Sequence, residues 1–300
     1  MNGQKTWAFI RLTRPLFLGG AVVLYLLGAV TAAAQGITLN GLRLLLGQLL
    51  VTSIQLATHY ANEYYDYDVD AASGATRTPF SGGSGVLVRG ELDRAAALHA
   101  MYICLSIAAI VLVVCGLLSP LMFIIGLLAL LGGYFYSAPP IKLEGSGWGE
   151  LNTAFITAVL VPLAGYVMQA NQLDARLLIV CASFVPIYIA MLLTFGFTDY
   201  AADKAFGKKT LTVRMGVTRA VWLHTALLLL VLIGLLMAVP AVPLLGLAVP
   251  LVIWQIAGAV WRARSRPAWR HMTLLAGGAV MLSGLVPLLW LVSVLIDLAA

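Results

Sequence analysis

The chain has 300 residues, 61% of them hydrophobic and only 10% charged, with a mean hydropathy of +0.97 and a net charge of +6. So much apolar surface excludes a soluble globular domain. The positive charge is accounted for by membrane topology and contact with anionic lipid headgroups, and it calls for no nucleic acid.

Apolar runs of about 20 residues, the length that crosses a hydrocarbon core as a helix, recur along the whole chain. They predict nine spans, at 15–34, 41–64, 94–116, 119–137, 151–170, 175–197, 217–238, 242–261 and 271–296. The opening "MNGQKTWAFIRLTRP" is polar and basic and lacks a cleavable signal pattern. It carries Lys5, Arg11 and Arg14 ahead of the first span. The second span ends in "NEYYDYDVD", where Asn62, Asp66 and Asp70 recur every four residues and therefore stack on one helical face. A glycine-rich connection follows, "GATRTPFSGGSGVLVRGEL", with Arg77 and Arg89. After the fourth span comes "YFYSAPPIKLEGSGWGEL", whose Pro-Pro and glycines predict a shaped, non-helical turn carrying Tyr136, Lys142 and Glu150. The sixth span runs into "DYAADKAFGKKTLTVRMG", with Asp199, Asp203, Lys208, Lys209 and Arg214.

The connections alternate short and long, and sixteen basic residues fall on the long side against two, Arg43 and Arg176, on the short side. Arg262, Arg264, Arg266 and Arg270 complete the long-side group. By the positive-inside rule the N-terminus and the long connections are cytoplasmic, in a protein of the cell's inner or plasma membrane. Cys104, Cys115 and Cys181 lie within spans, have no metal-type spacing, and are read as packing residues. His59, three residues before Asn62, is read the same way. His99, His224 and His271 are scattered, so no zinc site is expected.

The two acidic stretches repeat one another. "DYDVDAASG" (66–74) and "DYAADKAFG" (199–207) share D-Y-x-x-D-x-A-x-G at a constant offset of 133 residues, and four intervening spans put both on the same face. Acids at a helix C-terminus oppose the helix dipole, and like charges four apart repel. A divalent cation offsets both penalties. Asn and Asp oxygens with open coordination positions suit Mg²⁺ shared with substrate phosphates, and Mn²⁺ is the alternative. Arg77 and Lys208, just beyond the acids, are the preferred cationic contacts to such a ligand, with Lys209 beside them. Arg14 can reach the same place from the first span. Lys142 is the one basic residue in its loop.

These motifs resemble the two Asp-rich motifs of the UbiA superfamily of intramembrane prenyltransferases. "YSAPPIKLEGSGWGEL" and "GKKTLTVRMG" are most similar to the branch that prenylates 1,4-dihydroxy-2-naphthoate for menaquinone. The resemblance spans essentially the whole chain and implies a single domain over 1–300, all-α, with nine transmembrane helices bundled around a central cavity. It implies Mg²⁺-dependent transfer of a polyprenyl group from a polyprenyl diphosphate to an aromatic acceptor. Asp66, Asp70, Asp199 and Asp203 would act with the metal, Asn62 would join its ligands, and Arg14, Arg77, Tyr136, Lys142, Lys208 and Lys209 would bind substrate. Other acceptors, such as 4-hydroxybenzoate or a lipid, are the alternative. A cation-coupled transporter is disfavoured because its repeat would be inverted, with sites near the midplane.

Overall fold

A computed structural model describes residues 3–74, 77–264 and 269–299, with side chains left undescribed at 263–264 and 269–270. Arg266, and the side chains of Arg264 and Arg270, therefore lie outside it. Among the described residues there are helices and no strand. The helices are α1 (Gly3–Leu12), α2 (Pro15–Ala34), α3 (Gly41–Tyr65), α4 (Tyr67–Ser73), α5 (Arg94–Leu118), α6 (Pro120–Ser137), α7 (Gly149–Phe155), α8 (Val161–Ala170), α9 (Ala175–Ala205), α10 (Leu211–Met215), α11 (Val217–Ala238), α12 (Val249–Arg264) and α13 (Trp269–Ala299). A π-helical turn, Ile156–Leu160, joins α7 to α8, and a 3₁₀ segment, Pro243–Ala248, leads into α12.

Nine of these segments, among the described residues, are long and apolar enough to cross a bilayer, as the sequence predicts. Their starts are written locally. Asn40, Ser119 and Asp174 each accept a backbone N–H from the first turn of α3, α6 and α9, and Pro15 and Pro120 sit where a helix needs no N–H. Leu42, Ile110, Leu117, Ile179, Leu230 and Met237 are exposed around the outside, as lipid-facing side chains should be. Most boundaries shift by three residues or fewer, and two of the differences bear on the acidic residues. The sixth helix runs on to Ala205, carrying Asp199 and Asp203 inside it, because no residue in "GFTDYAADKA" breaks it before Gly207 (φ +72°). The fifth begins at Gly149, so Glu150 lies in its first turn.

Small residues set the closest approach. A Cβ on Gly28 would strike the Pro162 carbonyl, and one on Gly165 the Tyr25 carbonyl, so α2 and α8 touch backbone to backbone. At one end of the bundle the short connections meet: Asn40 N–H donates to Gln169 Oε1 at 2.8 Å. At the other end the long connections gather, with Lys209 N donating to the Gly145 carbonyl at 2.9 Å. There, Val86 and Leu87 of the glycine-rich connection are buried against Ala57, Tyr60, Ala97 and Met101 of α3 and α5, together with Ala8 and Leu12 of α1. That small core clamps the connection over the end of α3.

Candidate active site

Both acidic stretches open onto one cavity of about 860 Å³. Asn62, Asp66, Asp70, Asp199, Asp203, Lys208, Arg14, Tyr136, Glu144 and Glu150 form its polar end, and Phe17, Val23, Ile125, Met191 and Leu285 are among its apolar walls. The apolar part reaches the lipid-facing surface between the first and last spans, where the lining residues Leu16 and Gly19 of α2 and Met281 and Leu288 of α13 are exposed.

The first motif does not lie on one unbroken helix. The main chain turns out of α3 at Asp66 (φ −93°, ψ 4°) and re-enters a helix at Tyr67. The four-residue pairing nevertheless continues: Asp66 N–H reaches the Asn62 carbonyl and Asp70 N–H the Asp66 carbonyl, each at 2.9 Å. Asp66 and Asp70 are accordingly buried together, while Asp68 is exposed and absent from the cavity wall. Gly83 (φ +72°) lies against Asp70, and a Cβ there would collide with its carboxylate, so glycine at this position is what lets the connection close over the acid.

Lys208 sits between the two motifs. Its Nζ lies 2.6 Å from Asp66 Oδ2 and 3.5 Å from Glu144 Oε2. Burial opposes its charge, but Asp66 and Glu144 outweigh burial and hold the ammonium above the usual lysine range. Burial first, and then the Asp66 charge, push the Glu144 carboxyl well above its ordinary value. The same two causes push Asp70 up to about 7. A hydroxyl bridge ties the glycine-rich connection to the second motif: Ser81 meets Thr198 at 2.7 Å, and Thr198 Oγ1 donates to Asp199 Oδ1 at 3.2 Å. Thr210 donates to Asp203 at 3.4 Å.

Among the described residues no three acidic or imidazole side chains already converge as a closed ligand set. Instead four carboxylates border a shared space with a lysine ammonium at its edge. That arrangement suits Mg²⁺, which keeps open positions for water and substrate oxygens. The oxygen-only donors and the cost of charging Asp70 in a buried, acidic setting both fit a divalent cation.

A model of the UbiA prenyltransferase family matches residues 21–276. The chain belongs to that family. It is 28% identical over 225 residues to 1,4-dihydroxy-2-naphthoate octaprenyltransferase of Bacillus subtilis (strain 168), covering 75% of this chain and 70% of the relative. It is 27% identical over 233 residues to the protein of the same description from Escherichia coli (strain K12), covering 75% and 74%. A UbiA homolog from Aeropyrum pernix K1 superimposes with a TM-score of 0.67 at 14% identity, over 92% of this chain and 97% of that one. A UbiA homolog from Archaeoglobus fulgidus, bound to GPP and Mg²⁺, does so with a TM-score of 0.60 at 20% identity, over 98% and 100%. The chain is thus an integral membrane prenyltransferase of the UbiA fold.

Several residues of this UbiA-family chain stand elsewhere than expected. Lys142 is exposed, at a left-handed position (φ 47°) beyond a cis Pro139–Pro140 bond, and is not part of the cavity wall. Lys209 is also exposed and outside the wall. Arg77 lies behind Asp70, its Nη2 donating to the Asp70 carbonyl at 2.8 Å, so it supports the motif's main chain. The Asn62 carbonyl oxygen, the expected metal donor, instead accepts from Arg14 at 3.1 Å, while its amide nitrogen donates to Asp66 (2.9 Å) and Glu144 (3.1 Å). In this geometry Asn62 orients carboxylates. His59 Nδ1–H donates to the Thr13 carbonyl at 2.9 Å, and the ring packs edge-on to Phe17.

Two acids that sequence reasoning passed over organise this end. Glu63, buried within "NEYYD", takes two hydrogen bonds from Arg14 (3.0 and 2.6 Å) and two from Ser84 (2.6 and 2.8 Å). It ties the first span to the glycine-rich connection. Glu144 enters from the connection between α6 and α7 to meet Lys208 and Asn62. Glu63 falls off the Asn62–Asp66–Asp70 stripe, and Glu144 belongs to neither repeat, so neither stood out by pattern.

Proposed function

We propose that this prenyltransferase transfers a polyprenyl group from a polyprenyl diphosphate to an aromatic acceptor in quinone biosynthesis of the menaquinone type. The observation that carries this reading is the single cavity with acids from both motifs at one end and an apolar flank that reaches the lipid-facing surface. A prenyl diphosphate has the same two halves. The naphthoate prenyltransferases among the relatives, and the GPP- and Mg²⁺-bound neighbour, support the same substrates here.

Asp66 and Asp70 from the first motif, with Asp199 and Asp203 from the second, would hold Mg²⁺. The cation supplies charge stabilisation for the departing diphosphate. Lys208, already at the boundary between motifs, gives the diphosphate a further positive charge as negative charge develops on it. The apolar walls exclude water from the allylic cation, and Tyr136 and Phe17 line the cavity within which it forms. The tail lies along α2 and α13 and leaves toward lipid.

The test is product formation by membranes carrying the chain, given a labelled prenyl diphosphate and a panel of hydroxylated aromatic acids. A prenylated arene is expected with Mg²⁺ or Mn²⁺, and none in excess chelator. Turnover that survives complete chelation would sink the metal assignment. Cation uptake also has a predictable sign. Asp70 keeps its proton up to about pH 7 in the cation-free protein, so a cation must displace that proton at lower pH. Apparent Mn²⁺ affinity should therefore rise with pH to about 7 and then level off. An affinity flat from pH 5 to 8 would contradict the role of Asp70.

The motif end and the N-terminus face the cytoplasm in this reading, because that end collects sixteen of eighteen basic residues. Reporter fusions within 77–90 should score inside and fusions at the C-terminus outside. A C-terminal reporter scoring inside would reverse the odd number of crossings.

A further inference from the structure

We propose that α1 is an interfacial helix whose outer face sits in the phospholipid headgroup layer, and that this seating holds Arg14 and residues 84–91 of the glycine-rich connection in place. The surface concerned lies outside the cavity, and the inference does not depend on which substrate the cavity takes.

The depth of α1 is fixed by what its inner face touches. Ala8 and Leu12, four residues apart, are buried in one small core with Ala57 and Tyr60 of α3 and Met101 of α5. Phe9 lies against Tyr60, with ring centroids 5.8 Å apart. Tyr60 is well inside the end of α3 at Tyr65, by about 8 Å along the helix axis. The helix α1 therefore runs beside the last turns of two apolar spans. Thr13 and Arg14 alone separate it from α2, the first span.

The outer face carries the wrong side chains for water. Trp7 is 61% exposed and Ile10 43%, and they lie three residues apart on the side away from Ala8 and Leu12. Exposed indole and aliphatic groups at this depth are the pattern of a helix lying in the membrane interface, where Trp is enriched. Ala8 and Leu12 are the only buried residues of α1, and a ten-residue helix is marginal without further packing. The bilayer supplies that packing. Residues 3–14 contain Lys5, Arg11 and Arg14 and no acid. Arg11 and Arg14 pair with carboxylates of the protein, while Lys5 is exposed, so the outward charge of α1 has the sign that anionic headgroups attract.

The two paired arginines give the seating its consequence. Arg11 pairs with Glu91, which also takes Arg89 at 2.6 Å. Arg14 pairs with Glu63, and Glu63 in turn accepts the Ser84 N–H at 2.6 Å and its hydroxyl at 2.8 Å. Residues 84–91 are thus pinned at both ends, at Glu91 directly by α1 and at Ser84 through Glu63. Arg14 also donates to Asn62 at 3.1 Å and lines the cavity. Lifting α1 from its place would loosen all of these at once.

The test uses the full-length protein in vesicles of phosphatidylglycerol and phosphatidylcholine in equal parts, and it reads no turnover. Cys104, Cys115 and Cys181 are buried, so Thr6→Cys, exposed and four residues before Ile10, can be labelled selectively with a fluorophore. A nitroxide at a shallow acyl-chain position is expected to quench that label more strongly than aqueous iodide does. Stronger quenching by iodide overturns the seating. Shielding from both quenchers also overturns it, because protein would then cover this face. The link to the connection is read by hydrogen exchange at the amides of Ser84, Arg89 and Glu91, each of which donates a hydrogen bond. In the double variant Trp7→Ser, Ile10→Ser these amides should exchange about tenfold faster or more, with rates in α9 and α13 unchanged. Wild-type rates at all three overturn the link. A second measurement needs no variant and decides the matter if the substitutions loosen the whole chain. In pure phosphatidylcholine the wild-type amides should exchange about fivefold faster than in the mixed vesicles, the contribution of one exposed lysine. Equal rates in the two lipids overturn the proposal.

Discussion

Asp70→Ala and Asp199→Ala are each expected to lower kcat by on the order of 10²–10³-fold, while Asp68→Ala keeps turnover close to wild type. The contrast follows from where the three carboxylates stand. Asp70 and Asp199 come from different motifs, in α4 and α9, yet line the same cavity. Asp68 is two residues from Asp66 and from Asp70, roughly half a helical turn away from both, and faces outward. Deleting a carboxylate at the cavity removes both a candidate cation ligand and part of the field that acts on the departing diphosphate. Deleting Asp68 removes a solvated charge. Initial rates at saturating donor and acceptor measure the effect, and equal losses at Asp68 and Asp70 would show that position on the helix does not decide it.

Lys208→Met should weaken the cation-free protein and its hold on the donor together. The ammonium reaches from the connection after the second motif to Asp66 of the first, and it also neutralises Glu144. Its side chain is 16% exposed, so little solvent screens the exchange. Removing one partner of a buried ion pair leaves an uncompensated charge and typically costs about 3–5 kcal/mol. The variant should melt several degrees lower in detergent, and Mg²⁺ should recover part of the difference by supplying positive charge near the same carboxylates. Donor affinity should fall even with Mg²⁺ saturating, because the diphosphate has lost a point charge. A variant that melts with wild type in the absence of divalent cation would mean that Asp66 and Glu144 share a proton and need no lysine.

The nine long apolar helices among the described residues were legible in the sequence because a bilayer demands such helices, and that demand is met residue by residue within each segment. Asn40, Ser119 and Asp174 mark helix starts by chemistry that acts over three residues. The four-residue spacing of Asn62, Asp66 and Asp70 was equally local. It survived the turn at Asp66 because the backbone hydrogen bonds on either side still run four residues back. The second acidic stretch, read as lying beyond its span, proved to be the last turns of α9.

Only the tertiary structure decided what meets at the cavity. Whether a lysine reaches the acids depends on how three long connections fold over one another. That brought in Lys208, 142 residues from its partner Asp66, and left Lys142 and Lys209 outside. Glu63 captures Arg14 because α1 and the glycine-rich connection pack on the same end of α3, and Glu144 arrives on a single 3₁₀ turn, Leu143–Gly145, too short to show a period in the sequence. Helical spans and their faces are set by interactions a few residues apart, which the sequence displays directly. The pairing of charges between connections is set by contacts across the whole chain, for which the order of residues carries no period to read.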